Sequence, residues 1–215
     1  ILSSDWSSDV CSSDLESNCM SKEAIEMIRK MDMEQVENQF VLQCAPLIAG
    51  LKMSNLFIIR KNHLRRLCAL LQNSGIRCRV LYLDGDKLTV LLYNPAMLAI
   101  YMRNKRATTI LMGNGYEQFD LESILLEFGR RYRSYRTESK SFPHELGLLL
   151  GYPLDDVEGF IKNDGKNCLY TGYWKVYANV PAKRNLFRRF ECAREELMKQ
   201  IRQGKKVEQV IACKR

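Results

Sequence analysis

The chain has 215 residues, of which 46% are hydrophobic, and carries a net charge of +8. This size and composition predict a globular chain with a substantial core rather than a disordered one. No apolar run reaches the length of about 18 residues that predicts a membrane-spanning helix. The eight cysteines are scattered without a CxxC pair, so we expect a cytoplasmic protein with reduced thiols and no metal site.

The first 19 residues differ in composition from the rest. Residues 5–15, DWSSDVCSSDL, match the translation of a short-read sequencing adapter. We therefore expect residues 1–19 to be a non-native or disordered leader and Met20 to be the native start. This leader contains four acids and no bases, so leaving it out changes the net charge from +8 to +12. The remainder is expected to form one α+β domain over residues 20–206, followed by a tail at residues 207–215.

Helical patterns alternate with one strand in the first part of the domain. Ser21 and the acid at Glu23 predict the start of a helix, since acids are favourable near a helix N-terminus. A second helix is predicted from about Glu34 to Cys44, and a strand over residues 56–59. The leucines of HLRRLCALLQNSG fall on one helical face, and the glycine that follows suits a C-terminal cap.

The strongest local prediction is a β-hairpin at residues 77–93. Residues 77–83 and 88–93 both read as strands, and Asp84-Gly85 lies between them. Asp-Gly between apolar runs favours a tight turn because glycine adopts positive φ without a Cβ clash.

The rest of the chain is predicted to be mainly helical. We expect a helix from Pro95 to Met112, a helix over residues 121–135 capped by Asp120, and two short helices within residues 143–163. TGYWKVYAN predicts a strand, and residues 181–204 predict a long basic helix. The fold class is therefore α+β, with about four strands in a small mixed or antiparallel sheet.

Three stretches carry a resemblance to a known family. They are CAPLIAGLK (residues 44–52), FPHELGLLLGYPLDDVEGFIKN (residues 142–163) and GYWKVYAN (residues 172–179). On these stretches the chain resembles the bacterial family catalogued as Domain of Unknown Function 3793, from about Met33 to Leu197. The resemblance implies a fold-level grouping and supplies no mechanism, cofactor or partner.

The second of these stretches has the spacing of a helix-turn-helix, in which five apolar residues would pack inward: Leu146, Leu150, Tyr152, Val157 and Phe160. Asp155, Asp156 and Glu158 would then lie at the start of the second helix. Carboxylates there would repel phosphates. We therefore expect a structural helical hairpin and disfavour sequence-specific DNA recognition.

Two sets of residues support an enzyme as an alternative interpretation. His144 could act as a general base with Glu145 or a distant cysteine, although the second histidine of a metalloprotease HExxH is replaced by Leu148. Cys44 would be a nucleophile if a helix start and a basic residue favoured its thiolate. The structural alternatives are a packed histidine and a small buried cysteine.

Two arginine clusters predict a basic surface. One comprises Arg130, Arg131 and Arg133 together with Arg136, and the other comprises Arg184, Arg188 and Arg189. Such surfaces bind anionic ligands, acidic proteins or RNA, although basic rows are also common on solvated helices. We expect a non-catalytic binding or regulatory protein with an anionic partner, and nucleic-acid binding through the C-terminal helix is the further alternative.

Overall fold

The computed structural model describes residue 26 and residues 28–138 and 141–212. The predicted adapter-like leader lies outside the described residues, as does the predicted helix start at Ser21, although residues 28–30 are helical. The elements in chain order are α1 (Val36–Ile48), β1 (Ser54–Arg60), α2 (Leu64–Leu71), β2 (Arg77–Asp84), β3 (Lys87–Tyr93), α3 (Pro95–Met102), α4 (Lys105–Gly113), α5 (Leu121–Glu138), α6 (Leu146–Leu149), α7 (Leu154–Lys162), β4 (Tyr170–Thr171), β5 (Lys175–Val176), α8 (Val180–Arg202) and α9 (Val207–Ala212).

The predicted α+β class is confirmed, and the main sheet is wholly antiparallel. Its strand order is β1-β3-β2, so the predicted hairpin supplies the central strand and one edge. Gly85 has φ +54°, as the tight turn requires. Val80 pairs with Val90 and Tyr82 pairs with Thr89, which leaves Leu81 as an extra residue in β2. This bulge directs Leu81 into the core, whereas Val80 and Leu83 are exposed.

Strand β3 has helices over both of its faces. Leu91 and Tyr93 contribute to one apolar cluster, called here the first cluster, together with residues such as Phe128. Val90 and Leu92 contribute to the second cluster, with residues of α1 and α2. Because neighbouring strand residues point to opposite faces, the two clusters lie on opposite sides of the sheet.

The second cluster includes residues beyond position 206. Residues from 207 onward were predicted to be a tail, but the structure places α9 there. Val207, Val210 and Ile211 are buried in the second cluster, and α9 contacts α1, α2 and α8. Three apolar residues at helical spacing explain this packing.

The predicted helix from Pro95 to Met112 is two helices, α3 and α4. Asn104 interrupts it in an extended conformation, and its side chain accepts a hydrogen bond from the backbone N–H of Arg106 at 2.9 Å. Asp120 accepts from the backbone N–H of Ser123 at 3.0 Å, so the predicted cap of α5 is confirmed.

The strand predicted in TGYWKVYAN does not join the main sheet. It forms the two-residue strands β4 and β5, which pair only with each other. The chain turns sharply between them, where the N–H of Gly172 donates to the carbonyl of Trp174 at 3.2 Å. Asn179 then adopts φ +49° and caps α8 by accepting from the N–H of Ala182. The predicted long C-terminal helix is confirmed over Val180–Arg202.

Candidate functional site

The first arginine cluster is largely paired within the protein. Arg130 contacts Glu127 at 2.7 Å, and Arg131 contacts the same carboxylate at 2.8 Å. The two guanidinium groups hold the pKa of Glu127 at about 2. Arg133 is exposed on the same helix, and Arg136 pairs with Asp84 at 3.1 Å.

Arg131 also covers a buried polar network. Its guanidinium lies 4.9 Å from the centre of the Tyr116 ring and 3.8 Å from Glu145. Tyr116 donates its hydroxyl hydrogen to Glu145 at 3.1 Å, and burial together with the negative charge of Glu145 raises the pKa of Tyr116. Glu145 is only 1% exposed. This carboxylate is therefore held by a tyrosine and an arginine inside the fold.

A pocket of about 390 Å³ lies beside this network. Its lining includes the ring of Tyr116, the exposed Leu126 and the carboxylates Glu117 and Glu127. Two acids on the wall make this pocket unsuited to an anion, even though Arg130 and Arg131 contact one of them.

The second arginine cluster is open to solvent. Arg184, Arg188 and Arg189 are all exposed on the first half of α8. Among the ion pairs of the described residues, none includes any of the three, and Arg184 lies 5.2 Å from the centre of the Tyr170 ring. Leu169, the residue before Tyr170 in the sequence, is 66% exposed. We call Arg184, Arg188, Arg189, Leu169 and Tyr170 the α8 face.

The acidic start of α7 differs from its prediction. Asp155 and Glu158 both pair with Arg106 at 2.7 Å. Asp156 is 2% exposed and points into the interior. The three acids lie at the start of α7 as predicted, but Asp156 is buried and Asp155 and Glu158 share the charge of Arg106, so fewer free carboxylates face solvent there than the sequence suggested.

The predicted inward packing of the helical hairpin is confirmed. Its five apolar residues are buried, as the sequence predicted: Leu146, Leu150, Tyr152, Val157 and Phe160. The first helix, α6, spans only four residues, and Gly151 forms the turn with φ +67°. The hairpin serves as a packed structural unit, and α7 contacts β5.

Asp156 connects this hairpin to the small β4–β5 sheet. It accepts hydrogen bonds from Trp174 Nε1 at 2.8 Å and from the backbone N–H groups of Tyr177 at 2.8 Å and Ala178 at 3.2 Å. The ammonium of the buried Lys183 lies 3.6 Å away. One carboxylate therefore accepts hydrogen bonds from the β4–β5 turn and from the segment after β5, and lies near the ammonium of Lys183 on α8.

His144 and Cys44 are not brought together. The His144 ring lies edge-on to Phe142 and tilted against Phe160, with ring centres 5.8 and 5.7 Å away, and its Nδ1 is buried without a hydrogen-bond partner. Phe142 packs against the first cluster, whereas Cys44 belongs to the second cluster on the other side of the sheet. The structure thus does not place the His144 imidazole within reach of this thiol.

The environment of Cys44 also opposes its thiolate. Helix α1 begins at Val36, so Cys44 lies in its second half and not near a helix start. Burial raises its pKa to about 12, although Asn55 donates a hydrogen bond to the sulfur at 3.3 Å. Cys44 is therefore protonated at neutral pH.

The three stretches that carry the family resemblance meet at Tyr152. The ammonium of Lys52 lies 5.4 Å from the centre of this ring, and Trp174 stacks against the ring at 4.7 Å. The Tyr101 hydroxyl donates to the Tyr152 carbonyl at 2.6 Å. Lys52 could not be identified from the sequence, because nothing local indicated that Tyr152 would lie against it.

The described part of the chain supports neither a metal site nor a membrane-spanning helix. No three His, Cys, Asp or Glu side chains in it are grouped so that they could hold a metal ion. None of its helices combines the length and apolar character needed to cross a bilayer.

Comparison with known proteins identifies a family. Neither the curated proteins nor the solved structures yield a match to this chain. A family model matches residues 40–211, which include all three resemblance stretches and extend through most of α9. The chain belongs to the family described as Protein of unknown function (DUF3793).

Proposed function

We propose that this protein is a non-catalytic binding protein that engages an acidic protein partner through the α8 face. The observation that carries the proposal is the exposure of Arg184, Arg188 and Arg189 without a described carboxylate partner. In contrast, Arg130 and Arg131 already share Glu127. Charges that are not neutralised internally remain available to steer and bind an oppositely charged surface.

An acidic protein suits this face better than a double helix. Leu169 adds exposed apolar surface, and the Tyr170 ring holds one arginine in place. Protein interfaces combine arginine and tyrosine with apolar contact, whereas phosphate binding needs mainly cationic side chains. We place this interaction in the cytosol, because the free cysteines Cys44, Cys68, Cys78, Cys168 and Cys192 suit a reducing compartment.

The catalytic alternative has less support. It required Cys44 and His144 to act together, and they lie on opposite sides of the sheet. The nucleic-acid alternative uses the same arginines as our proposal, so it is tested by the same experiment.

The test measures fluorescence anisotropy of a labelled polyglutamate peptide with the full chain at low salt. The variant Arg184→Ala/Arg188→Ala/Arg189→Ala is compared with the control Arg65→Ala/Arg103→Ala/Lys105→Ala. The control removes the same charge from exposed positions elsewhere. At about 0.2–1 kcal/mol for each exposed pair, we expect the α8-face variant to bind about threefold to a hundredfold more weakly.

The control variant should bind as the parent protein does, and added salt should weaken binding of both. Equal affinity of the two variants would remove the α8 face as the binding surface. A single-stranded oligonucleotide serves as the second probe. Arginine-dependent binding of the oligonucleotide without binding of polyglutamate would overturn the acidic-protein proposal in favour of nucleic acid.

A further inference from the structure

The pocket beside Tyr116 has one wall from a loop and one from a helix. The loop after α4 provides residues 115–118. Helix α5 provides Ser123, Leu126 and Glu127, which share one face because residues three and four positions apart are neighbours on a helix. The pocket volume of about 390 Å³ lies within the range of about 300–1,000 Å³ that is typical of small-molecule sites.

The charges around this pocket leave one carboxylate unmatched. Glu127 is shared by Arg130 at 2.7 Å and Arg131 at 2.8 Å, and the buried Glu145 lies 3.8 Å from Arg131. Glu117 is exposed, and no ion pair in the described part of the chain includes it. Three carboxylates and two guanidinium groups therefore leave one negative charge, which a single cation would neutralise.

The polar groups of the pocket suit a primary ammonium better than a quaternary one. Ser123 donates its hydroxyl hydrogen to Gln118 Oε1 at 2.8 Å, so its oxygen still has lone pairs that can accept a hydrogen bond. A primary ammonium has three N–H donors for this oxygen and for the Glu117 carboxylate. A quaternary ammonium has none and depends on open aromatic faces, but Arg131 already lies over the Tyr116 ring at 4.9 Å.

Leu126 gives the same pocket an apolar wall. Its side chain is 63% exposed, so a ligand in contact with it would remove apolar surface from water. A carboxylate on the ligand would be repelled by Glu117 and Glu127. The ligand that matches this lining therefore has an ammonium at one end, an apolar body and no acid.

We propose that this pocket binds small primary monoamines with an apolar carbon body. The ammonium donates to Glu117 and Ser123, and the carbon body lies against Leu126. This site goes beyond the function proposed above, because it uses a different surface and takes a ligand of the opposite charge to the partner of the α8 face.

The experiment titrates the full isotope-labelled chain with isopentylamine and follows the backbone amide signals by NMR. Leucine has the same carbon body with an added carboxylate, and isopentyl alcohol has it without a charge. We expect the amine to shift the amide signals of Gly115 and Ser123 and to bind at least about tenfold more tightly than either comparison compound, because hydrogen bonds to charged groups are stronger than neutral ones.

Glu117→Gln removes the unmatched carboxylate, and Glu196→Gln is the matched control at an exposed position on α8. We expect Glu117→Gln to weaken binding of isopentylamine by about threefold to tenfold, and the control to bind as the parent protein does. Both positions are exposed, so neither change should prevent folding.

Two results would overturn the proposal. One is binding of leucine or isopentyl alcohol as tight as that of the amine, and the other is equal affinity of the Glu117→Gln and Glu196→Gln variants for isopentylamine. Neither result bears on the α8 face, whose arginines are tested with an anionic probe.

Discussion

Replacement of Asp156 by alanine should cost more stability than any change at the neighbouring Asp155. Asp156→Ala would leave Trp174 Nε1 and the backbone N–H of Tyr177 without the acceptor that each reaches at 2.8 Å. An unsatisfied buried donor costs about 1–3 kcal/mol. The ammonium of Lys183 would also lose its partner at 3.6 Å, and breaking a buried ion pair costs about 3–5 kcal/mol.

Because these contributions overlap, we expect the free energy of unfolding to fall by about 3–6 kcal/mol in total. This is a large share of the about 5–15 kcal/mol that is typical of a domain. Asp155→Ala is the matched control, since it removes a carboxylate one residue away from an exposed pair with Arg106, which is worth about 0–1 kcal/mol. Asp156→Asn should fall between the two, because its amide oxygen can still accept from Tyr177.

Urea denaturation followed by far-UV circular dichroism gives the free energy of unfolding of each variant, provided that the slope with urea is unchanged. We expect the order of stability to be Asp155→Ala, then Asp156→Asn, then Asp156→Ala. If Asp156→Ala and Asp155→Ala differ by less than about 1 kcal/mol, the carboxylate does not carry the role assigned to it here.

Three further predictions test the packing and the charge network. Gly159→Ala should destabilise the fold by about 1–3 kcal/mol, because the new Cβ would lie 2.5 Å from Tyr177 Cγ. Gly129→Ala is the control, because the nearest atom to its new Cβ would be 3.6 Å away, and thermal denaturation should show it to be neutral or stabilising. The pKa of Glu127 is lowered to about 2 from the ordinary 4.5, so the carboxylate stabilises the fold above pH 4.5 and this contribution is lost as the pH falls towards 2. Glu127→Gln should flatten that part of the stability profile, and an unchanged acid slope would contradict the pairing. Ile211→Ala should cost about 2–5 kcal/mol in urea denaturation, whereas no loss would mean that α9 is not part of the core.

The sequence predicted those elements that depend on residues within a few positions of one another. The hairpin at residues 77–93 depends on one glycine with positive φ, and the cap of α5 depends on Asp120 and the third residue after it. The break between α3 and α4 was missed because the apolar spacing continues across it. Asn104 was the available signal, since asparagine is a preferred N-cap residue.

Whether each charged side chain would be buried or exposed could not be predicted in the same way. Asp155 and Asp156 are neighbours in sequence, but a helix turns by about 100° at each residue, so one reaches solvent and the other reaches the core. Which of the two is buried depends on where Trp174 and Lys183 pack. Similarly, the contact between Lys52 and Tyr152 joins residues of separate stretches, and no periodicity within either stretch reports it.

The resemblance stretches and the α8 face have different physical roles. The stretches meet at Tyr152, and Trp174 links that ring to Asp156, so their side chains are constrained by packing as much as by any chemistry. Arg184, Arg188 and Arg189 belong to none of the three stretches and are exposed, so their charges contribute little to holding the fold together. We therefore look for architecture in the junction around Tyr152 and for partner binding on the α8 face.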